Sequence, residues 1–182
     1  MKKDILLAKL AKNIKRCRKC YLYKGRKHAI PGEGPSDSRV MIVGEAGGEQ
    51  EDKVGRPFVG KSGQFLTQQL TAFGINRKKI FITSVVKCRA IGRPKTVSIA
   101  ACLPYLHHQI AIIKPKIICL LGNVAIKALL GKGYSVAKHH GKLIRRKGIT
   151  YIPMPHPAAA MRFPKYKKRI KEDFVVLKNV IG

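Results

Sequence analysis

Acidic residues are scarce in this chain, which has nine Asp and Glu residues against 38 Lys and Arg residues and a formal net charge of +29. Thermophilic proteins are also rich in charge, but they enrich Lys together with Glu, and Glu is scarce here. So large an excess of one sign repels itself in a compact chain, and a polyanion would relieve that repulsion. The composition therefore predicts nucleic acid as the partner, with a membrane surface as the competing interpretation.

Long apolar runs and a secretory leader are also lacking. No segment is expected to be long or apolar enough to span a bilayer, so no membrane is expected as a partner. The N-terminal segment MKKDILLAKLAKNIKR has neither the continuous apolar core nor the small-residue cleavage site of a signal peptide. The chain is therefore expected to be intracellular, and residues 1–182 are expected to fold as one domain with a substantial core.

Cysteine occurs at five positions, and in a reducing compartment these do not predict a disulfide framework. Cys17 and Cys20 form a CxxC just after a predicted helix, a spacing that lets two thiolates converge on one metal site. Cys88 and Cys102 lie beside predicted loops or helix ends, whereas Cys119 lies inside an apolar strand and is expected to be core. Four soft ligands fit either zinc or a [4Fe–4S] cluster, and the absence of a second CxxC favours the cluster. The other interpretation is that Cys102 is only a core residue of its helix.

Short apolar runs alternate with amphipathic helical patterns along the chain. The apolar runs predict strands at 40–43, 79–86 and 116–121, and two further strands near 143–144 and 150–152 that could form a hairpin or a hairpin plus an edge strand. The helical patterns predict helices at 4–16, 62–73, 97–113, 122–130 and 165–180. This alternation predicts an α/β domain whose mostly parallel sheet is covered by helices on both faces.

The segment 39–63 carries the densest group of chemically distinctive side chains. Its acidic turn, residues 44–52, holds Glu45, Glu49, Glu51 and Asp52, which are four of the nine acidic residues. Ligands of parallel sheets bind beyond the carboxyl ends of the strands. That rule gathers at one edge the acidic turn and residues 84–88, 122–123 and 155–157. The acidic turn and His156, which lies between two prolines, are therefore predicted to share one site.

Residues 55–62, GRPFVGKS, match the G-x-x-x-x-G-K-S pattern of a phosphate-binding loop. Such a loop follows its strand directly, but here a carboxylate-rich segment intervenes and Pro57 removes one of the amides that would cradle phosphate. The strand predicted at 116–121 also lacks the terminal Asp that would help to hold magnesium. A nucleotide triphosphatase is therefore rejected.

Three separated motifs together resemble a known family. The stretch GEAGGEQEDKVGRPFVGKSG, the four cysteines and the HPAA sequence within residues 155–159 look like the family 4 uracil-DNA glycosylases, the iron–sulfur type found in archaea and thermophilic bacteria. The resemblance covers nearly the entire chain. It implies a three-layer α/β/α sandwich around a four-stranded parallel sheet and excision of uracil from DNA by hydrolysis of the N-glycosidic bond. It also implies a [4Fe–4S] cluster held by Cys17, Cys20, Cys88 and Cys102.

The resemblance also implies roles for individual residues. An enzyme acting on a base must extrude it from the stack and recognise it in a pocket. Phe58 matches the aromatic residue that stacks on uracil, although core packing is an equal interpretation without the family match. The backbone of Glu45, Ala46 and Gly47 matches the wall beside the base. His156 matches the histidine that hydrogen-bonds the uracil oxygen, where a donor aimed at the developing anion contributes on the order of 3 kcal/mol.

Glu51 matches an acidic family position that could place water or steady the sugar cation. Glu45, Glu51 and His156 are thus the candidate catalytic residues. A basic cluster beside the predicted pocket would bind DNA phosphates and set register rather than sequence: Arg162, Lys165, Lys167, Lys168 and Arg169. The expected partner is uracil-containing DNA, bound by a monomer.

Two positions depart from the family pattern. Gly47 replaces the usual Pro and is expected to loosen the turn beside the base. Ser84 replaces the usual Asn, whose amide both donates and accepts and can discriminate uracil from cytosine. A hydroxyl reaches less far and rotates to suit either partner, so weaker or less selective excision is predicted, extending to other deaminated bases. The loop RAIGRPKT after Cys88 also lacks the expected Pro-Pro and Asn.

Two alternative functions remain open from the sequence. The first is a noncatalytic, cluster-bearing DNA-binding module of the same fold, which would show no excision in the parent protein. The second is a zinc-stabilised nucleic-acid binder. A cluster absorbs broadly near ~400 nm and zinc does not, so the absorption spectrum separates these two cofactors.

Overall fold

A five-stranded sheet lies at the centre of the computed structural model, which describes residues 2–182. The strands are β1 (Val40–Gly44), β2 (Ile80–Ser84), β3 (Ile117–Leu121), β4 (Ile144–Arg146) and β5 (Ile149–Met154), and their order in the sheet is β2-β1-β3-β5-β4. Strands β2, β1, β3 and β5 run parallel, and β4 pairs with β5 in the antiparallel direction. The predicted mostly parallel sheet is confirmed.

The fifth strand is one more than the four that the resemblance implied. It exists because Lys147 and Gly148 both have positive φ, 48° and 76°, in the turn that joins β4 to β5. Such a turn matches the twist of two paired strands and folds the chain back tightly. Three residues of β4 therefore form a short antiparallel edge on the parallel sheet.

Eight helices surround the sheet in the described chain: α1 (Lys2–Lys15), α2 (Glu49–Val54), α3 (Lys61–Ala72), α4 (Thr96–Ile113), α5 (Asn123–Leu130), α6 (Val136–His139), α7 (Pro157–Arg162) and α8 (Pro164–Ile181). The five predicted helices are confirmed, and their ends lie within two residues of the predicted bounds. The acidic turn is not only a turn, since its second half begins α2. Gly48 caps this short helix, Gly55 ends it at φ 75°, and its acidic residues lie in the first turn, where the helix dipole favours negative charge.

The two faces of the sheet bury different residues of each strand, as the pleat of a strand requires. On one face, Val40 and Ile42 of β1 pack with side chains of α3 and α8. On the other face, Met41 and Val43 pack with side chains of α4 and α5. Burial of one such aliphatic side chain contributes about 1.5–3 kcal/mol. The three-layer α/β/α architecture is thus confirmed.

Helix α4 corrects one prediction about the apolar segments. By length and composition alone, this 18-residue helix is long and apolar enough to cross a membrane, so the prediction that no segment qualifies was wrong. In the fold it lies between two layers: Cys102 and Leu106 pack towards the sheet, and Tyr105 packs against Leu10 and Ile14 of α1. Because α4 is packed on two sides, it carries apolar residues on both of them, and this raises the mean hydropathy of the whole helix.

The ends of the parallel strands bring the predicted site segments to one edge. Gly44 at the end of β1 pairs in register with Ser84 at the end of β2, and Leu121 pairs with Met154. Beyond β3, the N–H of Gly122 donates to the carbonyl of Met154 at 2.9 Å. The segments that follow β1, β2, β3 and β5 therefore leave the sheet together.

Candidate active site

A cavity of about 560 Å³ opens at this carboxyl edge of the sheet. The segment after β1, the end of β2 and the turn before α7 all contribute to its lining. The predicted site residues among the lining are Glu45, Ala46, Gly47, Glu51, Phe58, Ser84, His156 and Arg162. The structure thus brings together the acidic turn and His156, although 105 sequence positions separate Glu51 from His156 (156 − 51).

Phe58 forms one wall of the cavity and also packs on the core, with 8% of its surface exposed. Its φ of 52° lies in the left-handed region, which costs a bulky residue on the order of 1–3 kcal/mol. Two glycines make room for it. A Cβ on Gly44 would lie 2.6 Å from the ring atom Cζ, and a Cβ on Gly63 would collide with the Phe58 backbone. The backbone of Phe58 is therefore strained, and its ring is tightly enclosed.

Glu51 is buried and its carboxylate accepts hydrogen bonds from three backbone N–H groups. Oε1 accepts from Val59 at 2.9 Å and Gly60 at 2.7 Å, and Oε2 accepts from Gly48 at 3.1 Å. A hydrogen bond to a charged group contributes about 1.5–3 kcal/mol. This carboxylate therefore joins the start of α2 to the segment between Phe58 and α3.

Glu45 has a different environment in the same turn. It is half-buried and lines the cavity, and its backbone is fixed because the N–H of Val86 donates to its carbonyl at 3.0 Å. Burial raises the pKa of the Glu45 carboxyl above its ordinary value, and the charge of Arg93 opposes that shift. A carboxylate with a raised pKa in a cavity is suited to accept a proton.

His156 is the N-cap of α7, and the N–H of Ala158 donates to its Nδ1 at 3.2 Å. Burial lowers the pKa of the imidazole from 6.5 to about 4, and the charge of Glu51 opposes the shift. The ring is therefore neutral at pH 7, and because Nδ1 accepts, Nε2 carries the hydrogen. The Phe58 and His156 ring centroids lie 6.0 Å apart with an interplanar angle of 30°, so an aromatic wall and a neutral donor are neighbours.

The two departures from the family pattern lie at the cavity wall. Ser84 is 4% exposed and its Oγ would be 3.3 Å from a Cβ on Gly44. Gly47 donates its N–H to the carbonyl of Cys88 and accepts from the N–H of Ala90, both at 3.3 Å. A side chain at position 47 would collide with Ile30 Cδ1, which occupies that space. These contacts attach the turn to the loop that follows β2.

The basic residues predicted to bind phosphates lie at the end of α7 and in the first half of α8. Arg162 at the end of α7 lines the cavity itself. Lys165, Lys167 and Lys168 of α8 are exposed, whereas Arg169 is half-buried with its guanidinium 5.9 Å from the centroid of the Tyr166 ring. Arg162 thus lies at the cavity itself, and the exposed lysines of α8 follow it closely in the chain.

Four of the cysteines lie in one neighbourhood. Burial raises the pKa of the Cys88 thiol, an effect to which Cys20 and Cys17 add and which Arg26 opposes. Burial also raises the pKa of Cys102 to about 11, and the charges of Cys88 and Cys20 again contribute. The four thiols are therefore close enough to influence each other's ionisation. Among residues 2–182, however, no three Cys, His, Asp or Glu side chains are arranged to hold a single metal ion.

Arg26 connects this cysteine region and was missed by the sequence analysis. One guanidinium nitrogen donates to Cys88 Sγ at 3.1 Å, and the other donates to the carbonyls of Lys15 at 2.9 Å and Cys17 at 2.8 Å. Cys119 lies apart from the four, fully buried in β3 within the core, as its apolar surroundings in the sequence predicted.

Lys87 was also missed, although a lysine that follows a buried apolar run and precedes a cysteine is an unusual signal. It is 1% exposed, and its Nζ donates to Thr83 Oγ1 at 2.6 Å, to the carbonyl of Ser84 at 2.7 Å and to Gln109 Oε1 at 2.7 Å. This ammonium ties the end of β2, next to the cavity, to helix α4.

Comparison of the sequence with known proteins places this chain in a family. The family profile described as the uracil DNA glycosylase superfamily matches residues 31–176. The type-4 uracil-DNA glycosylase from Sulfurisphaera tokodaii is 42% identical to this chain, over 96% of this chain and 84% of its own length. The type-4 enzyme from Pyrobaculum aerophilum is also 42% identical, over 93% of this chain and 92% of its own length. The type-4 enzyme from Thermotoga maritima is 39% identical over 98% of this chain and 96% of its own length. The chain therefore belongs to the uracil-DNA glycosylase superfamily and, within it, to the type-4 uracil-DNA glycosylases.

Proposed function

We propose that this protein acts in DNA repair by hydrolysing the N-glycosidic bond of uracil in a nucleotide flipped out of DNA. The observation that carries the proposal is the cavity in which Glu45, Phe58 and His156 meet, in a chain whose type-4 relatives are uracil-DNA glycosylases. A base inside a duplex cannot reach such a cavity, so the nucleotide must leave the stack first.

The flipped base is held between fixed groups. The ring of Phe58 offers a flat surface for stacking, while Ala46 and Gly47 border the base on the side of the β1 turn. The hydroxyl of Ser84 is the side-chain group at the end of β2 that contacts the polar edge of the base. Because Phe58 and the turn are held by buried contacts, little reorganisation accompanies binding.

Bond cleavage leaves positive charge on the sugar and negative charge on the departing uracil. His156 faces that negative charge as a neutral imidazole, with its Nε2–H donating to the uracil oxygen. A fixed donor of this kind stabilises the transition state by about 3–4 kcal/mol. The strongly lowered pKa of His156 supports this role, because it keeps the ring neutral while uracil departs as an anion.

Glu45 completes the hydrolysis by acting on water. Its carboxylate accepts a proton as the water oxygen bonds to the sugar carbon, and uracil leaves with the electron pair of the glycosidic bond and is protonated from solvent. Glu51 makes a different contribution in this proposal. Its carboxylate is engaged by three backbone amides, so it positions Phe58 and the β1 turn rather than contacting water.

Cys17, Cys20, Cys88 and Cys102 are proposed to hold a [4Fe–4S] cluster, which when bound supplies a four-point cross-link and electron-transfer chemistry. The four thiols are close enough to influence each other's ionisation, and this proximity supports a group that all four share. Arg26 places positive charge against Cys88, which favours the thiolate form that ligation requires.

DNA is proposed to cross the cavity mouth along the basic surface formed by Arg162 and the first half of α8. Contacts from Lys and Arg to phosphates fix the position of the duplex without reading its sequence. A monomeric state and an intracellular location beside the chromosome remain predictions that accompany this function.

Single-turnover excision from uracil-containing oligonucleotides tests the proposal. The parent protein should release uracil, and His156→Ala should lower the rate by about 10²–10³ while DNA affinity is kept. His108→Ala is the matched control, because His108 is exposed on α4 and outside the cavity lining. DNA binding without any excision by the parent protein would instead establish the noncatalytic module.

A further inference from the structure

Lys87 is a fully buried cation whose three hydrogen bonds all go to uncharged oxygens. Its Nζ donates to Thr83 Oγ1 at 2.6 Å, to the carbonyl of Ser84 at 2.7 Å and to Gln109 Oε1 at 2.7 Å. An ammonium has three donors and no acceptor, so these contacts use its full hydrogen-bonding capacity. Stability alone does not require a cation here, because an apolar side chain of similar volume often packs as well in a protein interior. The place of its contacts therefore indicates a role in the site.

The last two residues of β2 lie on opposite faces of the sheet, as the pleat of a strand requires. Thr83 lies on the α4 face, where its Oγ1 accepts from Lys87. Ser84 lies on the other face and lines the cavity, next to Gly44 and near the ring of Phe58. The ammonium of Lys87 is thus attached to the strand end from one side, while Ser84 is available to a ligand on the other.

Lys87 is itself held by two other parts of the chain. The N–H of Ile30, a residue that lines the cavity, donates to the Lys87 carbonyl at 2.7 Å. Gln109 of α4 is buried, and while its Oε1 accepts from the ammonium, its Nε2 donates to the carbonyl of Pro31. The Lys87 side chain therefore begins at a fixed backbone and ends in a fixed network. Its bond to the Ser84 carbonyl consequently constrains the peptide group that follows Ser84.

We propose that Lys87 is a positioning residue that fixes the Ser84 peptide group and thereby holds the Ser84 hydroxyl towards the polar edge of the flipped base. The bond closes a loop from residue 87 back to residue 84, which restricts rotation about the Cα–C bond of Ser84. A polar group that is already ordered loses less entropy when its ligand arrives, so it contributes more to recognition. This inference rests on the proposed function and adds a residue that acts on the base through Ser84.

The test measures the ratio of the affinity for a uracil nucleotide to the affinity for an abasic site. Two duplexes of the same sequence are compared, one with a 2′-fluorinated deoxyuridine that resists cleavage and one with a tetrahydrofuran abasic analogue. Lys87→Met should lower the ratio by about fivefold, the effect of one recognition hydrogen bond, and leave abasic-site affinity within about twofold. Lys87→Gln, whose amide ends one bond short of the Ser84 carbonyl, should lower the ratio too and carries the test if Lys87→Met does not fold.

A double-mutant cycle tests whether Lys87 acts through Ser84. Ser84→Ala should lower the affinity ratio to a similar extent, and combining it with Lys87→Met should lower the ratio no further, because both changes remove the same contact. Additive losses, or an unchanged ratio in the Lys87 variants, would overturn the inference.

Ile113→Ala is the matched control for lost stability. Ile113 is the last residue of α4, is 1% exposed and lies outside the cavity lining. This variant should lower the melting temperature and leave the affinity ratio unchanged, and an equal fall in the ratio would assign the Lys87 effect to stability and overturn the inference. Failure of the parent protein to excise uracil from a cleavable duplex would instead overturn the proposed function, so the two failures are distinguishable.

Discussion

The cavity and the cysteine region differ in how their polar groups are satisfied. In the cavity, the polypeptide itself supplies the partners: three amides meet Glu51 and a fourth meets His156. In the cysteine region, burial raises the pKa values of Cys88 and Cys102 and Arg26 is the cation that contacts a thiol. The carboxylate and imidazole of the cavity are thus held by backbone amides, whereas two of the four thiols are buried with raised pKa values.

The two regions meet at a backbone contact. The N–H of Gly47, in the cavity wall, donates to the carbonyl of Cys88. Proline lacks an N–H and could not make this bond. Gly47, where the family usually has Pro, therefore connects the cavity wall to Cys88, a predicted cluster ligand. A substitution in either region can be tested for its effect on the other region.

The largest effect is expected for Glu45→Gln, which removes the proposed proton acceptor while keeping the side-chain shape. Excision should fall by about 10²–10⁴ because general-base catalysis is lost. The melting temperature should stay close to that of the parent protein, as measured by thermal unfolding, because the carboxylate is half-buried and faces the cavity.

Glu51→Gln is the contrasting variant within the same turn. An amide cannot accept at both of its heavy atoms, so at least one backbone N–H loses its partner and unfolding free energy should fall by about 1.5–3 kcal/mol. A normal melting temperature combined with a loss of excision as large as that of Glu45→Gln would assign Glu51 to the chemistry and contradict its positioning role.

Removal of a cysteine ligand is expected to act on the other region. Cys102→Ala should abolish the absorption near ~400 nm and lower the melting temperature, because ligand binding contributes to folding when the site is absent in the unfolded chain. Cys119→Ala is the matched control, since Cys119 is buried in β3 apart from the four. Retained absorption in Cys102→Ala would show that Cys102 is only a core residue of α4.

A pH series separates the two cavity residues that titrate. The pKa of His156 is lowered to about 4, so the excision rate should not fall as the pH passes below 6.5. The pKa of Glu45 is raised above 4.5, so protonation of Glu45 should reduce the excision rate at lower pH.

The unfolded chain binds a proton on His156 between pH 6.5 and 4 that the folded chain does not, so this residue costs stability as pH falls through that window. Equilibrium unfolding at pH 7 and pH 5 should therefore show a smaller loss in His156→Ala than in the parent protein, by at most about 2 kcal/mol.

The smallest effect is expected at Ser84. Ser84→Asn should raise the ratio of uracil excision to excision of hypoxanthine or xanthine by about tenfold, because an amide both donates and accepts at the end of β2. Ser84→Ala is the control that removes the hydroxyl alone. Steady-state excision of all three bases measures the ratio, and a parent protein that removes uracil alone at the rate of its type-4 relatives would refute the predicted loss of selectivity.

Much of the fold follows from local patterns in the sequence. The helix and strand positions depend on periodicity over a few residues, and they are recovered within about two residues for the five long helices. The edge at which the acidic turn and His156 meet follows from the rule that parallel strands end together. Helix α2 was missed because a six-residue element has too few residues to show a period.

The sequence by itself determined the α/β architecture, the family and the group of residues that would meet at the sheet edge. Only the tertiary structure decided which hydrogen-bond partners and how much exposure each residue has there. Glu45 and Glu51 are chemically identical, lie six positions apart and both line the cavity, yet Glu45 has a raised pKa whereas Glu51 accepts hydrogen bonds from three backbone amides. The burial of Lys87 was likewise decided in three dimensions. The physical reason is that burial and hydrogen-bond partners come from residues distant in the chain, which local sequence patterns do not contain.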